Sequence, residues 1–121
     1  MVSSYRDLTV WQKAMKLAET IYALTADLPR DQTYGLSAQM QRAAISVPSN
    51  IAEGHAREST KEYLHFVSIS LGSIAELETQ LILCERLKFS SAEQINRALD
   101  LADEVGKMLR GVQRGLKVKL K

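Results

Sequence analysis

The residues that carry the most chemical information are a set of polar side chains that recur at helical spacing in the second quarter of the chain. Its members are Gln39, Arg42, Ser46, Asn50, Glu53 and Arg57. Steps of three and four residues place them on one side of a helix. We interpret this side either as a polar surface against another subunit or a ligand, or as a solvated face whose local ion pairs contribute little stability.

Pro48 lies in the middle of the same helical pattern. A proline inside a helix removes a backbone hydrogen-bond donor and clashes with the preceding turn, at a cost of about 3 kcal/mol. We therefore predict a kink or a locally unwound turn near residues 46–49, which places Asn50 and Glu53. Because strained backbone persists where function needs it, Pro48 favours the interpretation of this region as an interface.

A metal site is the chemistry that Glu62 and His65 suggest, since Glu-x-x-His is the spacing found in di-iron helical bundles. Such a site uses two of these pairs and a further glutamate from each of two other helices. The other histidine, His55, has no glutamate three residues before it. We therefore expect no metal site, and we place Glu62 and His65 on a helix turn near the surface.

Two neighbouring carboxylates, Glu76 and Glu78, make a poor general acid/base pair because residues two apart on a helix point to different sides. We predict that Glu76 faces solvent and that Glu78 meets Arg42 or another cation across helices. No serine or cysteine has a base placed for nucleophilic catalysis, and no glycine-rich phosphate loop follows a strand. We therefore predict that the protein is not an enzyme and takes no cofactor.

Positive charge is concentrated towards the C-terminal end of the chain. Of 16 basic and 14 acidic side chains, residues 105–121 hold no acidic one and the following basic ones: Lys107, Arg110, Arg114, Lys117, Lys119 and Lys121. We interpret them either as a contact for nucleic acid or an acidic partner, or as a solvated helix end whose cations suit the helix dipole. Since no aromatic residue lies among them, nucleic-acid binding here is expected to be electrostatic and weakly sequence-specific.

The elements that must position these side chains are helices. The chain has 121 residues, is 45% hydrophobic and only 6% aromatic, which suits one helical domain over residues 1–121. Apolar residues recur with helical period in four segments, at about residues 8–28, 34–57, 60–87 and 92–114. The short links between them predict an all-α, antiparallel up-down-up-down four-helix bundle. The remaining basic tail, about 115–121, is expected to fray or to lie against a neighbour.

Local signals indicate how these helices begin and pack. Capping boxes are predicted at three starts, by Thr9 with Gln12, Ser59 with Glu62, and either Ser90 with Glu93 or Ser91 with Gln94. Gly72, inside the third helix, either lets another helix approach closely or is merely tolerated at about 1 kcal/mol. Apolar and small residues cover more than one stripe on the first and third helices, which predicts an oligomer.

The sequence indicates neither a membrane segment nor export. No window holds 18 consecutive apolar residues, and the N-terminus lacks the basic and apolar regions of a signal peptide. Cys84 is the single cysteine and has no disulfide partner in the chain. We therefore expect a cytoplasmic protein with no membrane partner.

Three segments resemble a known family: DLTVWQKA at 7–14, YGLSAQMQRAAISVPSNIAEGHAR at 34–57 and LGSIAELETQL at 71–81. They are similar to four-helix bundle proteins first noted as reading frames in 23S ribosomal RNA intervening sequences, over about residues 7–109. The resemblance implies a bundle that assembles into a ring-like homopentamer. The accessory variability determinants of diversity-generating retroelements are similar in fold, and that likeness implies nucleic-acid binding and a reverse transcriptase partner.

The resemblance assigns no catalytic role to any residue. The matching motif positions are Arg42, Ser46, Pro48, Asn50, Glu53, Gly54, Arg57, Gly72, Glu76, Glu78 and Gln80. The candidate partner or subunit interface comprises Arg42, Ser46, Pro48, Asn50, Glu53, Arg57 and Glu78. The leading hypothesis is a non-enzymatic homo-oligomer, a pentamer by resemblance, that serves as a scaffold for RNA, DNA or a ribonucleoprotein. The alternative is a protein–protein adaptor or structural oligomer with no nucleic-acid role.

Overall fold

Four long helices follow one another in the computed structural model of the chain, which describes residues 4–120. They are α1 (Thr9–Ala26), α2 (Leu36–Ala56), α3 (Thr60–Arg86) and α4 (Ala92–Lys119), with short 3-10 turns at Tyr5–Asp7 and Arg30–Gln32. Each helix packs against the next one, and α4 packs back against α1. Because the links are short, consecutive helices run antiparallel. The predicted all-α four-helix bundle is confirmed, and residues 4–120 contain no strand.

The starts of α3 and α4 follow the predicted capping chemistry. The Ser59 hydroxyl accepts a hydrogen bond from the Glu62 backbone N–H at 3.2 Å, and the Ser91 hydroxyl accepts one from the Gln94 N–H at 3.2 Å. Each cap satisfies one of the backbone donors that a helix start leaves without a partner. Of the two alternatives for α4, the structure therefore selects Ser91.

The predicted capping box of α1 is wrong. Thr9 is already the first helical residue, and Leu8 precedes it without a side-chain cap. The Gln12 side-chain amide instead donates to the Arg6 carbonyl at 3.0 Å. This bond ties α1 to the preceding 3-10 turn, a contact that the spacing of Thr9 and Gln12 does not reveal.

Apolar side chains from all four helices meet in one core. The largest fully buried ones include Leu17, Ile21, Met40, Ile51, Leu77, Leu81, Ile95 and Leu109. Burying a side chain of this size contributes about 1.5–3 kcal/mol relative to leaving it exposed. Cys84 belongs to the same core, with its Sγ 3.6 Å from the Met40 Sδ. Because burial raises the pKa of its thiol, Cys84 behaves as a small apolar residue.

Pro48 does not unwind α2, so the prediction of a locally unwound turn at residues 46–49 is wrong. The helix is continuous from Leu36 to Ala56, and Pro48 is buried within it. Two side chains donate to carbonyls beside the proline: the Asn50 amide to the Ser46 carbonyl at 2.8 Å, and the Ser70 hydroxyl to the Val47 carbonyl at 2.9 Å. These bonds add contacts beside the proline, whereas the carbonyl that loses its helical donor to Pro48 is that of Ala44, four residues earlier.

The last helix is longer than predicted. α4 continues to Lys119, five residues beyond the predicted end, and Leu116 is only 7% exposed. Leu109, Val112 and Leu116 extend the apolar stripe, and the resulting burial outweighs the low helix propensity of Gly111 and Gly115. The prediction that residues 115–119 form a frayed tail is therefore wrong, whereas Lys121 lies outside the described residues.

Close helix approach occurs at a different glycine from the one singled out in the sequence. A Cβ added at Gly72 would meet no atom within 4 Å, so no helix of the same chain approaches closely there. A Cβ added at Gly54 would lie 2.9 Å from the Phe66 Cβ and 2.9 Å from the Tyr63 Cδ1. Gly54 therefore lets α2 and α3 approach each other more closely than any larger residue would allow.

The third helix, α3, is apolar on most of its surface. By its length and its composition alone, α3 could cross a membrane, and 39% of its most apolar 18-residue window is buried inside the bundle. Its buried side packs on α2 and α4. A core helix passes the same test, so the finding is weak evidence for a membrane segment.

Candidate functional site

Two of the segments that carry the family resemblance, residues 34–57 and 71–81, meet along the contact between α2 and α3. The Ser46 hydroxyl accepts hydrogen bonds from the Ser73 hydroxyl at 2.8 Å and from the Asn50 side-chain amide at 2.9 Å. Ser70 adds its bond to the α2 backbone one turn away. Ser46 and Asn50, predicted as interface residues, thus bond within the chain: Ser46 ties α2 to α3 through Ser73, whereas Asn50 bonds only within α2.

A polar groove opens beside these bonds, between α2 and α3. Its lining includes Gln39, Arg42, Ser46, Ser73 and Glu76. Arg42 and Glu76 are both exposed, and within residues 4–120 neither takes part in an ion pair. We call this feature the α2–α3 groove.

Gln80 lies one turn along α3 from Glu76 and is only 7% exposed. Its Nε2 is 3.4 Å from the Glu76 Oε2, which makes a long and weak hydrogen bond. Its buried Oε1 has no hydrogen-bond partner among the described residues. A buried polar atom without a partner costs about 1–3 kcal/mol, so this end of the groove lacks a donor.

Glu53 and Arg57, at the C-terminal end of α2, form a local ion pair. The Arg57 guanidinium lies 2.8 Å from the Glu53 carboxylate and also stacks over the Phe66 ring at 5.0 Å from its centroid. Both charged side chains are about half exposed. This geometry matches the solvated-face alternative for these two residues, since such pairs contribute little stability.

Glu78 lies on the opposite side of α3 from the α2–α3 groove. It lines a groove towards α4 together with Asp103 and Arg110. Burial and the neighbouring Asp103 raise the pKa of its carboxyl group, and Arg110 opposes that shift. Glu78 thus forms no ion pair with a described residue; Arg110 is the cation whose charge acts on it across this groove, whereas Arg42 lines another groove.

The cations of α4 form an ordered row because the helix does not fray. Lys107, Arg110, Arg114 and Lys117 are exposed and recur at steps of three and four residues. This α4 cation row spans about 15 Å at 1.5 Å per residue. Lys107 pairs with Asp103 at 3.0 Å, whereas no acidic partner in the described range pairs with the other three. Lys119 lies off the row, on another side of α4.

The side of α3 that faces away from the core is nearly uncharged. Its exposed residues between 68 and 83 are Ser68, Ile69, Gly72, Ala75, Glu76, Thr79, Ile82 and Leu83. We call this the α3 outer side. In this fully described stretch the one charged member is Glu76. The sequence already indicated this surface through the excess of apolar and small residues on the third helix.

A second apolar surface lies between α1 and α2. The α1–α2 groove is lined mainly by Tyr5, Trp11, Met15, Ala18, Ile45, Pro48 and Ala52. Met15 is 40% exposed and Ile45 is 44% exposed, although both are large and apolar. The presence of more than one apolar stripe on the first helix indicated Trp11 and Met15. Ile45 was missed because it stands apart from the apolar stripe of α2.

The surface between α1 and α4 has the opposite character. Lys13 pairs with Glu104 at 3.5 Å across the two helices, and Lys107 with Asp103 along α4. Lys16, Asp100 and further charged side chains line the space between these helices. We call this the α1–α4 face, and its charges suit contact with water.

Comparison with known proteins places this architecture in a family. The sequence profile of the 23S rRNA-intervening sequence proteins matches residues 6–111. No curated protein matches the chain significantly. A crystal structure of a protein of unknown function from the S23 ribosomal protein family of Bacteroides thetaiotaomicron is similar, with a TM-score of 0.82 and 25% sequence identity, covering 87% of this chain and 98% of the other. The chain belongs to the family of 23S rRNA-intervening sequence proteins.

Proposed function

We propose that the protein is a non-enzymatic, homo-oligomeric scaffold. The observation that supports this proposal is the pair of apolar surfaces, the α3 outer side and the α1–α2 groove, on different parts of one bundle. Soluble monomers rarely expose large contiguous apolar patches. Because the two surfaces differ, contact between them is head-to-tail, which generates a closed ring when the rotation between copies closes. The resemblance to pentameric proteins favours a ring of five.

Light scattering at micromolar concentration tests the assembly. The expected mass is several times the 13.5 kDa of one chain. Thr79→Glu adds a charge to the middle of the α3 outer side and should lower that mass, because burying an unpaired charge is costly. Asn96→Glu adds the same charge at an exposed position of α4 and should leave the mass unchanged. A wild-type mass of one chain would refute the proposal.

A second candidate function, nucleic-acid binding, is favoured by the α4 cation row. Three of its four cations have no acidic partner in the described part of the chain, so they are available to phosphates. Such contacts are electrostatic and depend on salt. A ring would repeat the row in each copy, so weak single contacts add up through avidity.

The salt dependence of binding to RNA and DNA of equal length tests this candidate. Replacing Arg110, Arg114 and Lys117 by Gln should flatten the slope of log affinity against log salt by about 0.7–0.9 for each phosphate that the variant no longer neutralises. Replacing Lys13, Lys16 and Arg97 by Gln removes the same charge from the α1–α4 face and should change the slope less. Substitution is preferable to truncation here, because truncation would remove the buried Leu116.

Absence of binding at low salt would instead favour a protein–protein adaptor or structural oligomer. The likeness to accessory variability determinants extends the scaffold proposal to a cytoplasmic ribonucleoprotein with a reverse transcriptase as partner. An rRNA intervening sequence or a reverse transcriptase gene beside the coding sequence would support that extension. If neither an rRNA intervening sequence nor a reverse transcriptase gene lies beside the coding sequence, the protein–protein adaptor is favoured.

A further inference from the structure

The Glu76 carboxylate would lose its hydration if the α3 outer side were covered by another molecule. It is the single charged residue among the exposed positions between Ser68 and Leu83. Covering this surface with a second copy would remove water from the carboxylate. A charge taken out of water needs an opposite charge beside it. An assembly through this surface therefore requires a cation near Glu76.

The form of the acceptor indicates what kind of cation fits. The Glu76 carboxylate is exposed, and its Oε2 has only a long contact of 3.4 Å from the Gln80 amide. The Gln80 Oε1 is buried, so a group on another copy does not reach it. A guanidinium group carries several N–H donors in a planar fork that matches the two oxygens of a carboxylate. Arginine therefore suits Glu76 better than lysine.

Arg42 is the arginine whose position fits. It lines the α2–α3 groove, and it lies one helical turn before Ile45, which is a residue of the α1–α2 groove. It is exposed and forms no ion pair with any described residue. Arg6, the other cation near the α1–α2 groove, lies at its end, with its guanidinium 5.4 Å from the centroid of the Tyr5 ring.

We propose that Arg42 of one copy binds Glu76 of the next copy, when the α3 outer side of that copy docks on the α1–α2 groove. This inference rests on the proposed oligomeric assembly. It supplies the missing partner for two groups at once: the exposed guanidinium and the isolated carboxylate. The pair also fixes the relative orientation of the two copies, because Arg42 lies on α2 of one copy and Glu76 lies on α3 of the other.

Charge reversal tests the pair. Arg42→Glu and Glu76→Arg each place like charges at every subunit contact, and each should raise the dissociation constant of the oligomer by about tenfold or more. The double variant Arg42→Glu/Glu76→Arg restores opposite charges and should recover most of the assembly. Both residues are exposed, so the variants should fold, and circular dichroism checks that they do.

Mixing the two single variants separates contact between copies from contact within one chain. If the pair joins copies, the glutamate introduced at position 42 of one variant meets the arginine introduced at position 76 of the other. The 1:1 mixture should then recover oligomer that neither variant forms alone. In a ring of five the two variants cannot alternate throughout, so at least one contact keeps like charges and the recovery should be incomplete. If Arg42 binds Glu76 of its own chain, mixing cannot restore the pair, and that result would overturn the inference.

The same measurements distinguish this inference from the assembly on which it rests. Single variants that assemble like the wild type would overturn the Arg42–Glu76 pair and leave the oligomer intact. A wild-type chain that stays monomeric would overturn the assembly itself. Arg42→Lys keeps the charge but loses the fork, and it should weaken assembly less than Arg42→Glu does.

Discussion

The contact between α2 and α3 differs sharply from the contact between α1 and α4. At the first, Gly54 brings the helices together and the hydroxyl groups of Ser46, Ser70 and Ser73 bond across or along the seam. At the second, Lys13 and Glu104 pair near the surface, and charged side chains line an open space. The resembling segments 34–57 and 71–81 therefore meet at the close contact, whereas the charged face carries only Lys13 of the segment 7–14.

This difference shows what the motif residues contribute. Ser46 and Asn50 are used inside the chain, and Gly54 serves the approach of two helices. Arg42, Glu76 and Gln80 stay without full partners in the described chain. The motif positions thus include residues of the α2–α3 contact, such as Ser46 and Gly54, and residues that face other helices, such as Pro48 and Glu78.

The largest expected effect is at Gly54. Gly54→Ala places a Cβ about 2.9 Å from Phe66 and Tyr63, which should destabilise the bundle by about 1–3 kcal/mol through overpacking. The matched change Gly115→Ala, on α4 and outside both proposed docking surfaces, meets no atom within 4 Å and should stabilise α4 by up to about 1 kcal/mol. Urea unfolding at one fixed protein concentration measures both. Equal effects at the two glycines would mean that the α2–α3 contact is not closer than the rest.

The hydrogen bonds of the same contact should have a moderate effect. Ser70 is fully buried and donates to the Val47 carbonyl beside Pro48. Ser70→Ala should therefore cost about 1 kcal/mol in the free energy of unfolding. Ser68→Ala, at an exposed position of the same helix, serves as the control and should change stability by less than about 0.5 kcal/mol. If both serines give the same small change, the bond to α2 contributes nothing.

Glu78 should give a smaller, pH-dependent effect on the α3–α4 side. Because burial and Asp103 raise the pKa of Glu78 in the folded chain, the folded state binds this proton more tightly than the unfolded state does. Stability is therefore lost as pH rises through the raised pKa. Glu78→Gln should raise the melting temperature at neutral pH, and the gain should vanish below the ordinary pKa of glutamate. A gain that is constant with pH would contradict this cause.

The smallest effect is expected on the α1–α4 face. Lys13→Gln breaks the pair with Glu104, whose side chains are 38% and 48% exposed. Exposed pairs contribute about 0–1 kcal/mol, so the melting temperature should fall by little, and less still in high salt. A large fall in melting temperature would mean that the α1–α4 contact stabilises the bundle as strongly as the α2–α3 contact does.

Periodicity sufficed to predict the helices, but tertiary contacts decided the details. The ends of the first three helices lie within about two residues of the prediction, because apolar stripes and the Ser59 cap are local signals. Of the two predicted effects of Pro48, the unwound turn was wrong, because Pro48 packs inside the bundle within a continuous helix; the kink stays a prediction. The early end of α4 was wrong because Gly111 and Gly115 lower helix propensity, while the burial of Leu116 depends on the packed bundle.

The candidate site was predicted in part. Arg42 was chosen from its stripe, and its neighbour Glu76 was expected to face solvent, which it does within a single chain. Gln80 was matched to the motif, yet its partnerless oxygen could not be foreseen, because the need for a hydrogen-bond partner appears only when the side chain is buried. The separate groove of Glu78 likewise depends on how α4 packs.

The helical continuation of α4 to Lys119 has a consequence for the entropy of binding. Fixing the backbone of a disordered residue costs about 1–2 kcal/mol, so ordering a loose tail over residues 115–119 would take about 5–10 kcal/mol from any contact it makes. In this chain folding has already fixed that backbone, with Leu116 in the core. A polyanion that meets Arg110, Arg114 and Lys117 therefore finds the charges already in line, and only side-chain freedom is lost when it binds.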